Sequence, residues 1–143
     1  MENDIIIREM RETDLDMALD LWKISFNAGF SSHFDTKERL IYYLNRNPGF
    51  STVACLKTGE LVGALLCGHD GRRGSIYHTA VYKEFRKESI GKLMEERSLK
   101  ELKRIGITTG FLFININNPG SKEFWESIGW TVINDIRYLY KQF

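Results

Sequence analysis

A strand, a loop and the start of a helix follow one another at one point of this sequence, and that junction decides the fold. Its residues are Val81-Tyr82-Lys83-Glu84-Phe85-Arg86-Lys87-Glu88-Ser89-Ile90-Gly91-Lys92. Apolar residues at helical spacing from Ile90 to Ile105 predict a helix about 25 Å long at 1.5 Å per residue. The free N–H groups and the positive dipole end of a helix N-terminus suit an anion, most often phosphate.

Positive charge and small residues support an anion site at this helix start. Residues 83–104 hold eight basic and five acidic side chains, a local net charge of +3 in a chain whose net charge is +1. Ser89 and Gly91 would let a phosphate approach the backbone closely. A solvated helix face would carry a similar surplus of charge, so spacing alone leaves both interpretations open.

Three strands joined by short turns precede the junction, over residues 50–56, 61–68 and 75–81. Turn residues stand between them, notably Gly59 and the Asp70-Gly71 pair, which is a strong hairpin signal. Three consecutive strands with such short connections predict an antiparallel meander.

Two helices separate the first strand, residues 5–7, from this meander. The first helix follows Thr13, which begins a sequence resembling a capping box, and its apolar face ends at Phe26. The second is predicted to begin at the cap Asp35 and to stop before Asn47-Pro48-Gly49.

The chain after the long helix supplies the remaining elements. The nearly all-apolar residues 111–114 predict a strand covered on both faces, a short helix follows Asn117-Asn118-Pro119-Gly120, and residues 130–140 are predicted to form the last strand. The order β-α-α-β-β-β-α-β-α-β indicates an α+β fold with a mixed sheet, in which the strands at 75–81 and 111–114 form a parallel pair. Residues 1–143 are expected to form one domain.

The composition excludes several classes of protein. The 20 Lys and Arg balance 19 Asp and Glu, which gives no electrostatic case for a nucleic-acid or membrane-surface partner. A hydrophobic fraction of 43% with 13% aromatic residues excludes global disorder. The first segment of the chain carries charges throughout and no apolar run exceeds about six residues, so neither a signal peptide nor a membrane span is expected. These features predict a cytoplasmic protein.

The cysteines and histidines do not indicate a disulfide or a metal site. Cys55 and Cys67 both lie within apolar runs, as expected of buried, reduced thiols. The histidines His33, His69 and His78 are scattered and lack the spacing of metal ligands, so no metal is expected.

Two segments resemble motifs of one family. Arg86-Lys87-Glu88-Ser89-Ile90-Gly91 is similar to the Arg/Gln-x-x-Gly-x-Gly/Ala pyrophosphate loop of the GNAT superfamily of N-acetyltransferases, with Ser89 in place of the first glycine. Asn118-Pro119-Gly120-Ser121-Lys122-Glu123-Phe124-Trp125-Glu126-Ser127-Ile128-Gly129-Trp130 resembles its Asn-x-x-Ala-x-x-Φ-Tyr-x-x-x-Gly-Phe signature. Residues 69–81 are similar to small bacterial members, and the element order matches the family over nearly the whole chain.

The resemblance implies an N-acetyltransferase that moves the acetyl group of acetyl-CoA to a primary amine, on a small molecule or a protein, by direct attack in a ternary complex. A backbone N–H of the strand at 75–81 would donate to the oxyanion. The same strand would pair with the pantetheine arm through the backbone of Thr79, Ala80 and Val81. The residues expected at the pyrophosphate are Arg86, Lys87, Glu88, Ser89, Ile90, Gly91 and Lys92. Asn118 and Ser121 would lie near the pantetheine or the adenosine.

Two residues depart from the family pattern. Ser89 adds a side chain where the loop has glycine, which is tolerable at negative φ and harmful at positive φ. Trp125 stands where the family often has a tyrosine that protonates the leaving thiolate, and an indole N–H does not titrate usefully. Trp125 is therefore expected beside the cofactor but not as an acid, and Tyr77, Tyr138, Tyr140 or water are candidates for that role.

The strand at 75–81 is where some family members place a glutamate or histidine base. Tyr77 and His78 are therefore the candidate catalytic residues. Strand alternation predicts Tyr77 on the face of Ser75 and Thr79, with His78 on the opposite face. The ordinary interpretation of His78 there is a core histidine bonded to backbone.

The loop between the first two helices is where the resemblance places selection of the acceptor. The side chains with rings in this loop are Phe26, Phe30, His33 and Phe34. Apart from that role, they are expected to be core or rim residues.

A second function stays open beside the enzyme. Trp125 and the lack of an obvious carboxylate base are also compatible with a non-catalytic acyl-CoA-binding sensor or scaffold. The predicted last strand is more apolar than an exposed edge should be, which predicts that a second copy of the chain covers it in a homodimer.

Overall fold

The structure of the protein is a computed structural model that describes residues 4–26 and 31–143. Its strands and helices, in chain order, are β1 Ile5–Glu9, α1 Leu15–Ser25, α2 Lys37–Arg46, β2 Thr52–Leu56, β3 Leu61–His69, β4 Gly74–Val81, α3 Ile90–Arg104, β5 Gly110–Leu112 and α4 Ser121–Ser127. The described residues form two compact units, Met1–Phe113 and Ile114–Phe143. None of the helices in these described ranges has the length and apolar character needed to cross a membrane.

Five strands of the described residues form one sheet in the order β1-β2-β3-β4-β5. Neighbouring strands are antiparallel from β1 to β4, as expected for a meander. β4 and β5 run parallel, with Ser75 opposite Phe111. The predicted α+β class, the mixed sheet and its parallel pair are therefore confirmed.

Helices α1 and α2 cover one face of the sheet. Leu15 and Trp22 of α1 and Leu44 of α2 pack with Ala64 and Leu66 of β3 in one buried cluster. Each large apolar side chain buried in this way stabilises the fold by about 1.5–3 kcal/mol. This cluster fixes both helices against the centre of the meander.

Helix α3 covers the opposite face, and two glycines let it lie close to the sheet. A Cβ at Gly63 would lie 3.1 Å from Met94 Cε, and a Cβ at Gly74 would lie 2.5 Å from Leu102 Cδ1. Met94 and Leu102 are both buried. A side chain at either glycine would therefore require the Met94 or Leu102 side chain to shift.

Buried hydrogen bonds tie α3 to the start of β2. Ser98 Oγ donates to the Phe50 carbonyl at 2.6 Å and lies 2.7 Å from Thr52 Oγ1. The Arg97 guanidinium donates to Thr52 Oγ1 at 2.9 Å and to the Gly49 carbonyl at 3.1 Å. These bonds satisfy polar groups that are largely withdrawn from water. Because hydrogen bonds are directional, they also fix the position of α3 along the sheet.

The predicted helix caps are wrong at both N-termini. The N-cap residue of α1 is Asp14 rather than Thr13, and its side chain makes no capping bond. The N-cap of α2 is Thr36, whose Oγ1 accepts from the Arg39 amide at 3.2 Å, rather than Asp35. The Asp14 carboxylate instead bonds Arg8 of β1, and the Asp35 carboxylate bonds His78, 43 positions away.

The unit Ile114–Phe143 contains α4 and a C-terminal segment. The predicted strand over residues 130–140 is wrong, because no strand is present in this part of the described chain. Ile133, Ile136, Tyr138 and Leu139 are exposed there. Their β-forming residue types are not sufficient, since a strand also needs a hydrogen-bonded neighbour and a surface to pack on.

Asp14 provides a stability test, because it joins β1 to the start of α1. Its carboxylate accepts two bonds of 2.8 Å from Arg8 and one of 2.8 Å from the Arg11 amide. Burial alone would raise the pKa of the Asp14 carboxyl, but the hydrogen bond from Arg8 and that from the Arg11 amide outweigh it and lower the pKa.

We expect Asp14→Asn to lower the free energy of unfolding by about 2–4 kcal/mol at neutral pH, because it leaves Arg8 without its buried anion. A lowered pKa stabilises the fold above the ordinary pKa of a carboxyl, and this contribution disappears as the pH falls through the lowered value. The difference from wild type should therefore shrink below about pH 4. Urea unfolding across pH measures this difference.

Asp16→Asn, which removes an exposed ion pair with Lys37, is the control and should change the free energy of unfolding little. A pH-independent difference between Asp14→Asn and wild type would contradict the assignment.

Candidate functional site

The edge of β4 that faces β5 is only partly paired. The last pair joins Ile76 to Leu112, whereas β4 continues to Val81. No strand among the described residues pairs with this edge beyond Ile76. The backbone of residues 77–81, which includes the predicted Thr79, Ala80 and Val81, is therefore an unpaired strand edge on the side of β5.

Arg86 closes the far end of this open edge. The Tyr82 amide donates to the Val62 carbonyl of β3 at 2.9 Å, so the preceding Val81 carbonyl faces the other side of β4. Arg86 Nε donates to that carbonyl at 3.0 Å. The bond folds the loop that contains the predicted anion site back onto the end of the strand.

The loop reaches α3 through two residues with left-handed backbone. Lys87 has φ +74° and Ser89 has φ +62°, with Glu88 between them. The first bond to the Ser89 carbonyl comes from the Leu93 amide at 3.0 Å. The amides of residues 90–92 precede that bond and are not used within the helix. Such a turn of backbone N–H groups at a helix start is suited to an anion.

The predicted loop residues are thus brought together at one helix start. Their side chains are exposed at five positions, Arg86, Lys87, Glu88, Ser89 and Lys92, while Ile90 is buried and anchors the helix to the sheet. Ser89 adopts a positive φ, at which a side chain in place of the family's glycine was expected to be harmful. A non-glycine residue in this conformation costs about 1–2 kcal/mol.

A bulge interrupts β4 just beyond its last pair with β5. Leu66 lies opposite Tyr77 and Ala64 lies opposite Ala80, so the single residue between them on β3 faces two on β4. One of the two, His78, has φ +54°. An extra residue of this kind reverses the alternation of side chains along a strand.

The predicted separation of Tyr77 and His78 onto opposite faces is therefore wrong. The Tyr77 ring contacts Tyr43 of α2 at 6.4 Å between centroids, and the His78 ring contacts Trp22 and Phe26 of α1 at 5.4 and 5.5 Å. Both side chains lie on the face covered by α1 and α2, because the bulge turns His78 toward the helices.

His78 is bonded to a carboxylate, where a backbone partner was predicted. His78 Nε2 lies 3.0 Å from Asp35 Oδ1, and Asp35 Oδ2 accepts from the Ser31 amide at 2.9 Å. Both side chains are largely buried, at 15% and 5% exposure. Asp35 was missed as a functional residue because it lies 43 positions before His78 and its local sequence indicates a helix cap.

Two buried polar atoms near the bulge have no hydrogen-bond partner within residues 4–26 and 31–143. They are Trp22 Nε1 and Thr79 Oγ1. Buried polar groups in folded proteins are almost always bonded. The Trp22 ring contacts the His78 ring, and Thr79 follows His78 in the chain.

The predicted acceptor loop is only partly described. Phe26 packs against the core cluster and Phe34 is exposed, which agrees with core and rim positions. Phe30 lies outside the described residues. No group of three or more His, Cys, Asp or Glu side chains that could hold a metal is found in the ranges that the structure describes.

The remaining predicted cofactor residues lie in the unit Ile114–Phe143. The Asn118 carbonyl accepts from the Ser121 amide at 3.3 Å in the turn before α4. Trp125 is buried and stands edge-on to Phe124 and Trp130, at 4.9 and 5.7 Å between ring centroids. Within this unit Trp125 is therefore a packing residue.

Ser89 offers a test of the strained loop. Ser89→Gly removes the steric cost of a positive φ and should keep or raise the free energy of unfolding, by up to about 1 kcal/mol. Glu88→Gly is the matched control, because residue 88 does not have a positive φ; it should lower that free energy by about 0.5–1 kcal/mol. Urea unfolding compares the two variants. Equal losses in both would show that residue 89 carries no strain.

The comparisons with known proteins concern the family and the fold. Residues 15–130 match the model of the acetyltransferase (GNAT) family. An acetyltransferase of Photorhabdus laumondii is 33% identical over 98 residues, which are 67% of this chain and 65% of that protein. The chain therefore spans slightly less than two thirds of that relative.

Two solved structures share the fold. An aminoglycoside acetyltransferase from an uncultured soil metagenomic sample has a TM-score of 0.78 and 21% identity, covering 97% of this chain and 96% of that one. The PaiA N-acetyltransferase of Thermoplasma acidophilum, in complex with coenzyme A, has a TM-score of 0.77 and 19% identity, covering 91% of each chain. With the family model matched over residues 15–130 of 143, this chain belongs to the acetyltransferase (GNAT) family.

Proposed function

We propose that this protein is an N-acetyltransferase that moves the acetyl group of acetyl-CoA to a primary amine, on a small molecule or on a protein or peptide. The observation that carries the proposal is the open edge of β4 beside the left-handed loop and free amides at the start of α3. Membership of the acetyltransferase family supports acetyl transfer as the reaction, and one structural neighbour was solved with coenzyme A bound.

The cofactor residues follow from this arrangement. Backbone groups of Thr79, Ala80 and Val81 would bond the amide-bearing pantetheine arm as an added strand does. The amides of residues 87–92 would bind the pyrophosphate, with Arg86 and the lysines adding positive charge. Asn118, Ser121 and Trp125 are proposed as further cofactor residues on the resemblance of their segment alone. No metal is needed for this chemistry.

Direct attack by the amine is favoured over an acetyl-cysteine intermediate. Cys55 and Cys67 are free thiols buried in β2 and β3. Burial raises the pKa of Cys67 to about 12 and also raises the pKa of Cys55, although Arg8 opposes the second shift. Because a thiolate is the reactive form, neither sulfur is suited to accept an acetyl group. In direct attack the amine must lose a proton to another group. Tyr77 and His78 are the candidates for that group.

Turnover separates the enzyme from a module that only binds acyl-CoA. Acetyl-CoA is incubated with a panel of a peptide N-terminus, a lysine peptide, a polyamine and an aminoglycoside, and free thiol is measured. Amine-dependent thiol release is expected for the enzyme. Saturable coenzyme A binding with no thiol release from any amine would instead support a sensor or scaffold, and no coenzyme A binding would overturn both functions.

A cytoplasmic location and a homodimer complete the proposal. Buried free thiols in the sheet suit a reducing compartment. The exposed apolar residues of the C-terminal segment, among them Ile136 and Leu139, are the surface that a second copy would cover. A monomer mass by light scattering at micromolar concentration would contradict the homodimer.

Gly91, the second residue of α3, tests the anion site. Gly91→Glu should abolish coenzyme A binding without unfolding the protein, because a carboxylate would stand among amides that face the pyrophosphate. Gly91→Ala should retain binding within about threefold, since a helical position accepts alanine. Lys100→Glu adds negative charge at an exposed site farther along the same helix and is the second control. Calorimetry measures all three, and unchanged affinity in Gly91→Glu would contradict the site.

Trp125 tests the source of the leaving-group proton. Because an indole is not an acid, Trp125→Phe should keep kcat within about tenfold, whereas loss of a general acid commonly costs 10²–10⁴. Tyr77→Phe is measured beside it, since it removes a phenol with little change in shape. A fall of more than a hundredfold for Trp125→Phe, with coenzyme A affinity intact, would contradict its assignment. A fall confined to Tyr77→Phe would identify that phenol as the proton carrier.

A further inference from the structure

A carboxylate and an imidazole from distant parts of the chain meet at the bulge of β4. Asp35 belongs to the segment between α1 and α2, and His78 is the left-handed residue of the bulge. Asp35 Oδ1 lies 3.0 Å from His78 Nε2. The inference drawn below from this pair rests on the proposed function, because it concerns the proton that the acceptor amine must lose.

The bonds of Asp35 determine which nitrogen of His78 is basic. Its Oδ2 accepts from the Ser31 amide at 2.9 Å, so both oxygens of the carboxylate are directed by hydrogen bonds. A carboxylate is only an acceptor, and Nε2 must therefore carry the proton when the imidazole is neutral. Nδ1 is then the nitrogen with the basic lone pair.

The surroundings of the ring hold it in one orientation. Trp22 and Phe26 of α1 contact it at 5.4 and 5.5 Å between centroids, and Asp35 bonds its edge. Asp35 is a titratable group that the structure places against His78, and α1 contributes rings without charge. Tyr77 is its neighbour along β4. A ring fixed in this way needs little reorganisation to accept a proton.

Two features indicate a purpose beyond packing. His78 has φ +54°, and backbone strain of this kind costs on the order of 1–3 kcal/mol and concentrates at functional sites. Within the part of the chain that the structure describes, Trp22 Nε1 and Thr79 Oγ1 are buried without hydrogen-bond partners, and both residues adjoin His78, one by ring contact and one along the chain. The strained backbone of His78 and these unpartnered atoms favour a role for the pair beyond joining Asp35 to β4.

We infer that Asp35 is a positioning residue that holds His78 with Nδ1 as the acceptor of the amine proton. In the reaction the amine nitrogen forms a bond to the thioester carbonyl carbon, and the C–S bond breaks. One N–H proton passes to Nδ1, and the resulting imidazolium is bonded to the Asp35 carboxylate. That proton then goes to the thiolate of coenzyme A or to solvent, which restores the neutral ring.

The experiment uses the full chain and three single variants, Asp35→Asn, His78→Gln and Glu38→Gln, with the double variant of the first two. Glu38 is an exposed acid in the first turn of α2 and serves as the matched control. Amine-dependent thiol release gives kcat and the KM for acetyl-CoA. Nitrogen-15 correlation spectra of labelled histidine report the tautomer of His78, assigned by its absence in His78→Gln.

In wild type we expect the tautomer with the proton on Nε2. Asp35→Asn should change that tautomer and lower kcat by about 10²–10⁴ with little change in the KM for acetyl-CoA. In the His78→Gln background the same substitution should cost no more than about threefold, because Asp35 acts through His78. Glu38→Gln should behave as wild type in both measurements.

Several outcomes would overturn the inference. They are a wild-type tautomer with the proton on Nδ1, a wild-type kcat in Asp35→Asn, or an equal loss from Asp35→Asn with and without His78. If Asp35→Asn fails to fold, two measurements still test the inference. They are the tautomer of His78 in the wild type and the loss of kcat in His78→Gln, compared with the control His69→Gln on β3. Wild-type protein that turns over no amine would overturn the proposed function, and the inference with it, whereas the outcomes above leave the proposed function intact.

Discussion

The extra residue in β4 is the constraint on which the candidate site depends. Ile76 faces α3 before the bulge, and strict alternation would turn Ala80 toward α3 as well. The bulge instead places Ala80 opposite Ala64, in the core under α1 and α2. His78 absorbs the change by adopting φ +54°. Pairing with β5 stops at Ile76, next to this irregularity, so the same short stretch contains the unpaired edge of β4 and the imidazole.

The two faces of the sheet meet different requirements. Under α1 and α2 the contacts are almost entirely apolar and include the Trp22 and Tyr77 rings around the bulge. Under α3 the contacts include buried hydrogen bonds from Arg97 and Ser98 to the start of β2. Apolar packing is not directional, whereas hydrogen bonds are. The helix whose N-terminal amides are proposed to bind an anion is thus the one held in register by directional bonds.

The sequence predicted those elements that depend on local pattern. The turns at Gly59 and Asp70-Gly71 indicated the meander, and the spacing after Ile90 indicated the long helix. Short connections left antiparallel pairing as the simplest arrangement, and the helical crossover from β4 to β5 required a parallel pair. The loop at 86–92 could be located for the same reason, because a strand end and a helix start fix it from both sides.

What the sequence could not determine lies where two distant segments compete for one group. Asp35 has the local pattern of a cap, but Thr36 takes that role and the carboxylate bonds His78, a choice that depends on how α1 and β4 pack. Residues 130–140 have strand-forming types, yet strand formation depends on a partner that no local pattern supplies. The face on which His78 lies followed from a bulge, and a bulge is set by the pairing of β3 with β4. The sequence by itself thus determined the order of elements as far as α4 and the place of the proposed anion loop, because hydrogen bonds within helices and turns are local. The partner of His78, its face and the ends of the sheet were decided only by tertiary structure, because they depend on contacts between residues far apart in the chain.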